Sequence, residues 1–215
     1  MRIIAGRHKG RRLKAPSWEG LRPTSDKLRE TLFNVLAPRV EGARVLDGYA
    51  GTGALGIEAL SRGAAHVMFV EKNRRAAALI EENLTACGVE GGYTIRCADV
   101  AAALDALPAA DAFDLILLDP PYDIENVSAA LAAAARHVAV GGIVVLERAT
   151  RRAPEAPAAL RRVRDVRSGD STLTFFVCGD PGSGIRDQKS GNGTTDTDRG
   201  ASNPESRIPS PDSGE

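Results

Sequence analysis

Several residue types are scarce in this chain, and each scarcity excludes a class of protein. Cys87, Cys97 and Cys178 are the three cysteines, and they show neither C-x-x-C spacing nor a partnered histidine cluster, which argues against a disulfide framework and against structural zinc. No apolar run approaches the length that spans a membrane, and the basic start leads into strand-like alternation instead of the apolar block of a signal peptide. We therefore predict a cytoplasmic protein with no metal ion and no membrane partner.

Aromatic residues are also scarce, at 4% of the chain, so alanine, valine and leucine must fill most of the core. A length of 215 residues with 43% hydrophobic residues suits one globular domain with additional segments. The formal net charge is zero, but positions 1–39 hold ten Lys or Arg residues against three acidic residues. This asymmetry predicts a basic surface near the N-terminus.

Strand-like and helix-like patterns alternate through the middle of the chain, which predicts a parallel sheet with helices on both faces. Predicted strands cover 43–47, 66–71, 93–97, 113–118 and 142–147, and predicted helices cover 26–36, 53–62, 73–87, 100–107 and 126–139. Two further strand-like runs follow at 161–167 and 171–178. We divide the chain into a basic hairpin at 1–20, the main domain at 21–179, and a polar tail at 180–215 that is too poor in apolar residues to fold.

A glycine-rich stretch follows the first predicted strand. Gly51, Gly53 and Gly56 have the G-x-G-x-x-G spacing that lets a backbone approach a nucleotide-type ligand at a helix start. Asp47, four residues before Gly51, would repel a pyrophosphate and would suit a cationic or amine-bearing ligand. S-adenosylmethionine has both an ammonium group and a cationic sulfur, so it fits this pattern, whereas a purely structural turn is the alternative.

Two more acidic residues end the next predicted strands. Glu71 is placed to accept both hydroxyls of a ribose, and Asp99 is placed to accept an adenine amino group. The carboxyl ends of parallel strands meet at one sheet edge, where ligands bind in open α/β folds. Each acid could alternatively be a helix cap or a solvated loop residue. The predicted cofactor-binding residues are Asp47, Ala50, Gly51, Gly53, Glu71, Asp99 and Asp119.

From Ala43 to Asp123 the chain resembles the class I S-adenosylmethionine-dependent methyltransferases, and Asp119-Pro120-Pro121-Tyr122 matches the D-P-P-Y motif of enzymes that methylate exocyclic amines of nucleobases. Segments 2–6, 21–34 and 54–64 are similar to the RsmD family of bacterial 16S ribosomal RNA guanine-N2 methyltransferases. The resemblance covers about 2–178 and implies a Rossmann-like, mostly parallel seven-stranded sheet with an antiparallel last strand. It also implies 16S ribosomal RNA, in the small ribosomal subunit or its assembly intermediate, as the partner. Two positions depart from the family pattern, Gly48 in place of a bulkier apolar residue and Thr52 in place of serine.

The D-P-P-Y segment has a chemical rationale. The lone pair of an exocyclic amine is delocalised into the base, so an enzyme must localise it before the nitrogen can attack a methyl group. The Asp119 carboxylate and the Pro120 carbonyl can accept the two N–H hydrogens, while Pro121 restricts the backbone of Pro120. Tyr122 can stack on a base turned out of its helix. We therefore predict Asp119, Pro120, Pro121 and Tyr122 as catalytic residues.

The basic N-terminal residues are the predicted RNA contacts, because arginine binds phosphate in a bidentate manner. They are Arg7, Lys9, Arg11, Arg12 and Arg22. A solvated charge cluster is the alternative for this group. Two other functions stay open: a DNA or RNA adenine-N6 methyltransferase, and a non-catalytic RNA-binding factor of ribosome assembly. We expect a monomer.

Overall fold

A computed structural model describes residues 1–16, 26–121, 127–151 and 154–179 of the protein. Within these residues seven strands form one sheet in the order β3-β2-β1-β4-β5-β7-β6. The strands are Arg44–Gly48 (β1), His66–Val70 (β2), Tyr93–Arg96 (β3), Phe113–Leu118 (β4), Val138–Ala149 (β5), Leu160–Ser168 (β6) and Ser171–Cys178 (β7). The helices are Asp26–Leu36 (α1), Ala54–Ser61 (α2), Arg74–Ala86 (α3), Val100–Asp105 (α4) and Val127–His137 (α5), with a short 3-10 helix at Ala37–Arg39.

The first five strands pair in parallel, as the alternating pattern predicts. β7 runs antiparallel to β5, and β6 runs antiparallel to β7, so β6 at the sheet edge points in the same direction as β4. The mostly parallel seven-stranded sheet is therefore confirmed. β5 is longer than predicted because its ladder to β4 starts at Val138, directly after α5.

Alternation along the strands divides the core into two layers, since successive side chains point to opposite faces of a sheet. On one face, Val45 packs with α1, α2, α3 and the N-terminal segment. On the other face, Leu46 packs with α4 and α5. The chain has five phenylalanines, and all of them are buried: Phe33, Phe69, Phe113, Phe175 and Phe176. The remaining core is aliphatic, as the low aromatic content predicts.

The order in which successive strands are added to the sheet reverses beside β1. β2 and β3 lie on one side of β1, whereas β4, β5, β7 and β6 lie on the other. Such a reversal opens a crevice outside the carboxyl ends of the adjacent strands, where open α/β folds bind ligands. The ends of β1 and β4, at Gly48 and Leu118, are neighbours at this point.

Candidate cofactor and catalytic site

The loop between β1 and α2 has an unusual backbone. Gly51 and Gly53 have φ angles of 56° and 77°, in the left-handed region that glycine adopts without strain. Tyr49 has φ 62°, which is costly for a residue with a side chain and often marks a functional constraint. The loop is held in place by hydrogen bonds from the Ala50 amide to the Val70 carbonyl at 3.1 Å and from the Gly53 amide to the Ala50 carbonyl at 2.7 Å.

Asp47 lies under this loop with 1% of its surface exposed. Its Oδ2 accepts a hydrogen bond of 2.8 Å from the backbone amide of Gly56 in α2. Burial raises the pKa of Asp47 well above its ordinary value, the Gly56 hydrogen bond opposes this rise, and the charges of Asp119 and Glu71 add to it. A buried carboxylate beside two further acids would be stabilised by a cationic ligand, because the added positive charge offsets the desolvation and the repulsion.

Glu71, with 7% of its surface exposed, follows β2 and connects the glycine loop with the start of α3. Its Oε2 accepts a hydrogen bond from the Gly51 amide at 2.9 Å, and its Oε1 accepts one from the Asn73 amide at 2.8 Å. Each carboxylate oxygen has a second lone pair, so these bonds leave acceptor capacity for hydroxyl groups. Glu71 therefore orders the glycine loop, a role that sequence reasoning did not foresee.

Asp99 has a different environment from the other two acids. It is exposed, and its Oδ1 caps α4 by accepting hydrogen bonds from the Ala101 and Ala102 amides at 2.9 and 3.3 Å. Its Oδ2 makes no hydrogen bond to any residue that the structure describes, so capping occupies only part of the carboxylate. Burial, followed by the charge of Asp99, raises the pKa of Tyr49 to about 12, which places the tyrosine ring near this acid.

Two glycines of this region are required by packing. A Cβ atom on Gly56 would lie 2.2 Å from Cε1 of Phe69, so this glycine lets α2 pack closely on β2. A Cβ atom on Gly48 would lie 2.8 Å from Cδ2 of Leu118. Leu118 and Val100 thus fill the space that a bulkier residue would take at position 48, which accounts for this departure from the family pattern.

Asp119 follows β4 directly and lies beside the β1 end. Its backbone amide donates to the Gly48 carbonyl at 3.3 Å, and its side chain is half-buried. Pro120 is buried and Pro121 is exposed, so the chain leaves the protein interior across the two prolines. Because Asp119 also raises the pKa of Asp47, the structure brings the predicted catalytic acid and a predicted cofactor acid together. Tyr122 lies outside the described residues.

A third buried acid at this edge was missed by sequence reasoning. Glu147 is 7% exposed and lies one position beyond the Leu146–Leu118 pair, so it comes level with Asp119 at the end of the adjacent strand. Because Val145 and Leu117 belong to the layer that contains Val45, alternation places Glu147 and Asp119 on the same face as Asp47. The signal was available, since the rule of acids at strand ends applies to β5 as well as to the first three strands.

The basic N-terminal segment 1–16 packs on α2 through specific polar contacts. The fully buried Glu58 accepts backbone hydrogen bonds from Ile4 at 2.7 Å and Ala5 at 3.0 Å. The Ser61 hydroxyl accepts from the His8 amide at 3.0 Å, and Gly6 lies so close to Ser61 that no side chain would fit at position 6. The segment has one antiparallel bridge, Arg2–Arg12, and the predicted two-stranded hairpin stays a prediction.

Four of the predicted RNA contacts are exposed to solvent. Arg7, Lys9, Arg11 and Arg12 are all exposed. The backbone is therefore fixed by the main domain while the cationic side chains are available to a partner. The fifth, Arg22, lies outside the described residues.

Asn83 connects the N-terminal segment with the glycine loop. It is fully buried on α3, its Oδ1 accepts from the Lys14 amide at 2.7 Å, and its Nδ2 donates to the Thr52 carbonyl at 2.9 Å and to the Lys14 carbonyl at 3.3 Å. One amide group thus holds both segments in fixed relation. Neither the glycine spacing nor the charge pattern identifies this residue.

Two further features bear on the class of site. Within the four described ranges, no group of three or more His, Cys, Asp or Glu residues is arranged to hold a metal ion. The helices of the same ranges include none long and apolar enough to cross a membrane.

The sheet order, the glycine loop after β1 and the carboxylates at successive strand ends define the fold of a class I S-adenosylmethionine-dependent methyltransferase. Residues 1–177 match the family model described as "Conserved hypothetical protein 95". The chain therefore belongs to this family, which is the RsmD family.

Individual relatives agree with this membership. "Ribosomal RNA small subunit methyltransferase D" of Haemophilus influenzae is 41% identical over 131 residues, which is 57% of this chain and 64% of that protein. The Escherichia coli K12 protein of the same name is 51% identical over 84 residues, 39% of this chain and 42% of that protein. Each match thus spans less than two thirds of the relative's own length.

Solved structures extend the similarity to almost the whole described fold. The Escherichia coli protein yhhF is 30% identical with a TM-score of 0.73, and the alignment covers 83% of this chain and 98% of that one. A hypothetical protein of Thermus thermophilus is 30% identical with a TM-score of 0.68, covering 81% of this chain and 98% of that one.

Proposed function

We propose that this protein transfers a methyl group from S-adenosylmethionine to the exocyclic N2 amine of a guanine in 16S ribosomal RNA of the small subunit. The observation that carries the proposal is the buried carboxylate of Asp47, flanked by Asp119 and Glu71, at the crevice where the chain order reverses. The two curated relatives, named ribosomal RNA small subunit methyltransferases, support ribosomal RNA as the substrate.

The cofactor half of the site fits S-adenosylmethionine. When bound, this cofactor supplies a methyl group on a cationic sulfur. Asp47 provides negative charge in a buried setting, Glu71 retains acceptor capacity for hydroxyls, and Asp99 has one carboxylate oxygen beyond the α4 cap. The left-handed loop at Gly51 and Gly53 brings backbone rather than side chains to the crevice.

The target half of the site acts on the base. The Asp119 carboxylate and the Pro120 carbonyl accept the two N–H hydrogens of the amine, which localises the nitrogen lone pair. The amide of Asp119 is tied to the Gly48 carbonyl, and Pro120 is buried with a fixed φ, so both acceptors have a rigid backbone. Such preorganisation is the main source of rate in a direct transfer between two bound groups.

We choose guanine over adenine as the target base because the chain belongs to the RsmD family. Both bases present a planar exocyclic amine, and they differ in the neighbouring ring nitrogen, which is a donor in guanine and an acceptor in adenine. A site that reads this difference leaves a buried polar group unpaired with the wrong base, at a cost of about 1–3 kcal/mol.

The product identity tests the proposal. The protein is incubated with radiolabelled S-adenosylmethionine and small ribosomal subunits from a strain that lacks the modification, and the RNA is then digested to nucleosides. N2-methylguanosine is the expected product, and Asp119→Asn is the control that should form it far more slowly. N6-methyladenosine as the sole product would overturn the guanine assignment, and transfer to no nucleoside would favour the non-catalytic assembly factor.

Parallel reactions with naked 16S RNA and with whole subunits then show which form is the substrate.

A further inference from the structure

The edge strand β6 carries a second basic surface, which the site described above does not use. Between positions 160 and 178 the chain has four arginines and two aspartates. Arg161 and Arg167 are exposed and Arg164 is half-buried. We call these three residues the arginine edge. The register puts Arg161 and Arg164 on the sheet face that carries Asp119, and it puts Arg167 on the opposite face of the same edge strand.

The nearby acid does not neutralise the arginine edge. Asp165 accepts hydrogen bonds from Arg162 and from Nη2 of Arg148, the latter at 2.9 Å. Burial raises the pKa of Asp165, but the hydrogen bonds from Arg162 and Thr174 and the charges of Arg162 and Arg148 outweigh it and leave the pKa below its ordinary value. This carboxylate is therefore already paired.

None of the three members of the arginine edge makes an ion pair or a hydrogen bond through its side chain to another residue within the described ranges. The other aspartate, Asp170, lies in the exposed turn between β6 and β7. The edge thus retains a net positive charge.

The strand register places one end of this surface at the level of the catalytic segment. Asp165 pairs with Thr174, Thr174 with Leu146, and Leu146 with Leu118, so Asp165 and Leu118 are at the same height three strands apart. Arg167 lies two residues beyond Asp165, and Pro120 lies two residues beyond Leu118. Both continue in the same direction, because β6 and β4 are parallel to each other. At about 4.8 Å per strand the lateral separation is roughly 14 Å, which is a few nucleotides of RNA.

The other basic surface lies on the opposite flank. The N-terminal segment packs on α2, and α2 packs on β1 and β2, whereas β6 lies beyond β4, β5 and β7. The crevice at Asp119 is therefore between two sets of cations. An RNA held on both flanks would be fixed in orientation as well as in position over the crevice.

We propose that the arginine edge binds the phosphate backbone of the substrate RNA on the side of the target base opposite to the N-terminal segment. This inference rests on the proposed function. Exposed edge strands also carry charge simply to prevent pairing with another sheet, and such a role would leave RNA affinity unchanged when the charge is removed.

The test compares two triple variants in filter-binding titrations with 16S ribosomal RNA transcribed in vitro, at several salt concentrations. Arg161→Gln, Arg164→Gln and Arg167→Gln together should weaken binding at low salt at least tenfold and reduce the slope of log affinity against log salt by about 0.7–0.9 per lost contact. The control removes the same charge from the opposite end of the molecule. The control variant combines Arg39→Gln, Arg44→Gln and Arg136→Gln. Arg44 is the first residue of β1, and Arg136 lies near the end of α5, where it bonds to Asp105. Arg39 donates a hydrogen bond to the Gly141 carbonyl.

Folding is monitored by thermal melting and by affinity for S-adenosylmethionine, which both triple variants should retain. Equal RNA affinity and equal salt slope in the arginine-edge variant and the control would overturn the inference while leaving the proposed function intact. A wild-type affinity that does not depend on salt would also overturn the inference, because phosphate contacts release counterions, whereas the proposed function is tested separately by the methylated product. Single variants sharpen the assignment, since Arg167→Gln, nearest the catalytic level, should lose more affinity than Arg161→Gln.

Discussion

The carboxyl edge of the sheet has two halves that differ in construction. In the cofactor half, at the ends of β1 and β2, Asp47 and Glu71 are buried and each binds a backbone amide of the glycine loop or α2. In the target half, at the ends of β4 and β5, Asp119 is only half-buried and Pro121 is exposed. The cofactor half is built to hold negative charge out of water, and the target half opens to the surface.

This difference indicates how the two halves should respond to substitution. An acid that is buried and bonded within the fold affects stability as well as ligand affinity, because its charge has a desolvation cost in the free protein. A half-buried acid at the surface affects the reaction with little effect on the fold. The four predictions below separate the halves on this basis.

Asp119→Asn should have the largest effect. Methyl transfer should fall by on the order of 100- to 1000-fold, the size seen when one directed hydrogen bond to a reacting group is removed. Cofactor affinity should change by no more than about twofold, as measured by calorimetry. Asp114→Asn is the matched control, because Asp114 lies on the same strand at its other end and bonds to the Arg44 amide. Retention of turnover within a few-fold would exclude the lone-pair mechanism.

Asp47→Asn should weaken S-adenosylmethionine binding by about tenfold or more, since a hydrogen bond or contact with a charged group contributes roughly 1.5–3 kcal/mol. The asparagine oxygen can still accept from the Gly56 amide, so the loop should keep its structure. The cofactor-free variant should melt at a higher temperature than the wild type at neutral pH, because the buried charge is gone. A lower melting temperature would show that the charge is already compensated in the free protein.

The pH dependence of cofactor affinity should also distinguish the acids of the cofactor half from those of the target half. Because the pKa of Asp47 is raised in the free protein, affinity should increase as pH rises through that pKa, by less than tenfold per pH unit. The folded state binds this proton more tightly than the unfolded state, so Asp47 stabilises the fold at pH values below its unfolded pKa. This stabilisation is lost as the pH rises through the pKa of Asp47 in the folded state.

Calorimetry measures how cofactor affinity changes with pH, and thermal melts measure how the stability of the fold changes with pH. Both slopes should be absent from Asp47→Asn and present in Asp119→Asn. Equal slopes in wild type and Asp47→Asn would assign the titration to another group.

Removal of residues 181–215 should have the smallest effect on either half. The family model ends at position 177, and the predicted disordered tail lies outside the described residues. The free energy of unfolding should change by less than about 0.5 kcal/mol, as for surface changes away from packed features, and methyl transfer should be unaffected. A large loss of either property would show that the tail binds to the main domain.

The sequence predicted several elements of the fold well because their signals are local. Helix α1 has the predicted bounds, 26–36, and β4 begins and ends as predicted at 113 and 118. The apolar runs, the glycines and the acids that follow them are each contained within a few residues, so periodicity and turn chemistry are sufficient.

The features that sequence reasoning missed depend on contacts between distant segments. Glu147 is the exception, since it ends the predicted strand 142–147. The role of Asn83, by contrast, requires α3, the loop at Thr52 and Lys14 to be brought together. The arginine edge needs the register of four strands to reach the level of Pro120. No local pattern encodes strand order, so these relations could not be derived from spacing.

The packing of the N-terminal segment has a consequence for synthesis on the ribosome. The groups that hold this segment are Glu58, Ser61 and Asn83, which lie 53 to 69 residues later in the chain. During vectorial translation this segment must therefore wait, after it emerges, until α2 and α3 have been made and have packed on the sheet. This cationic segment is thus made before the helices that hold it, and it can become ordered only after them.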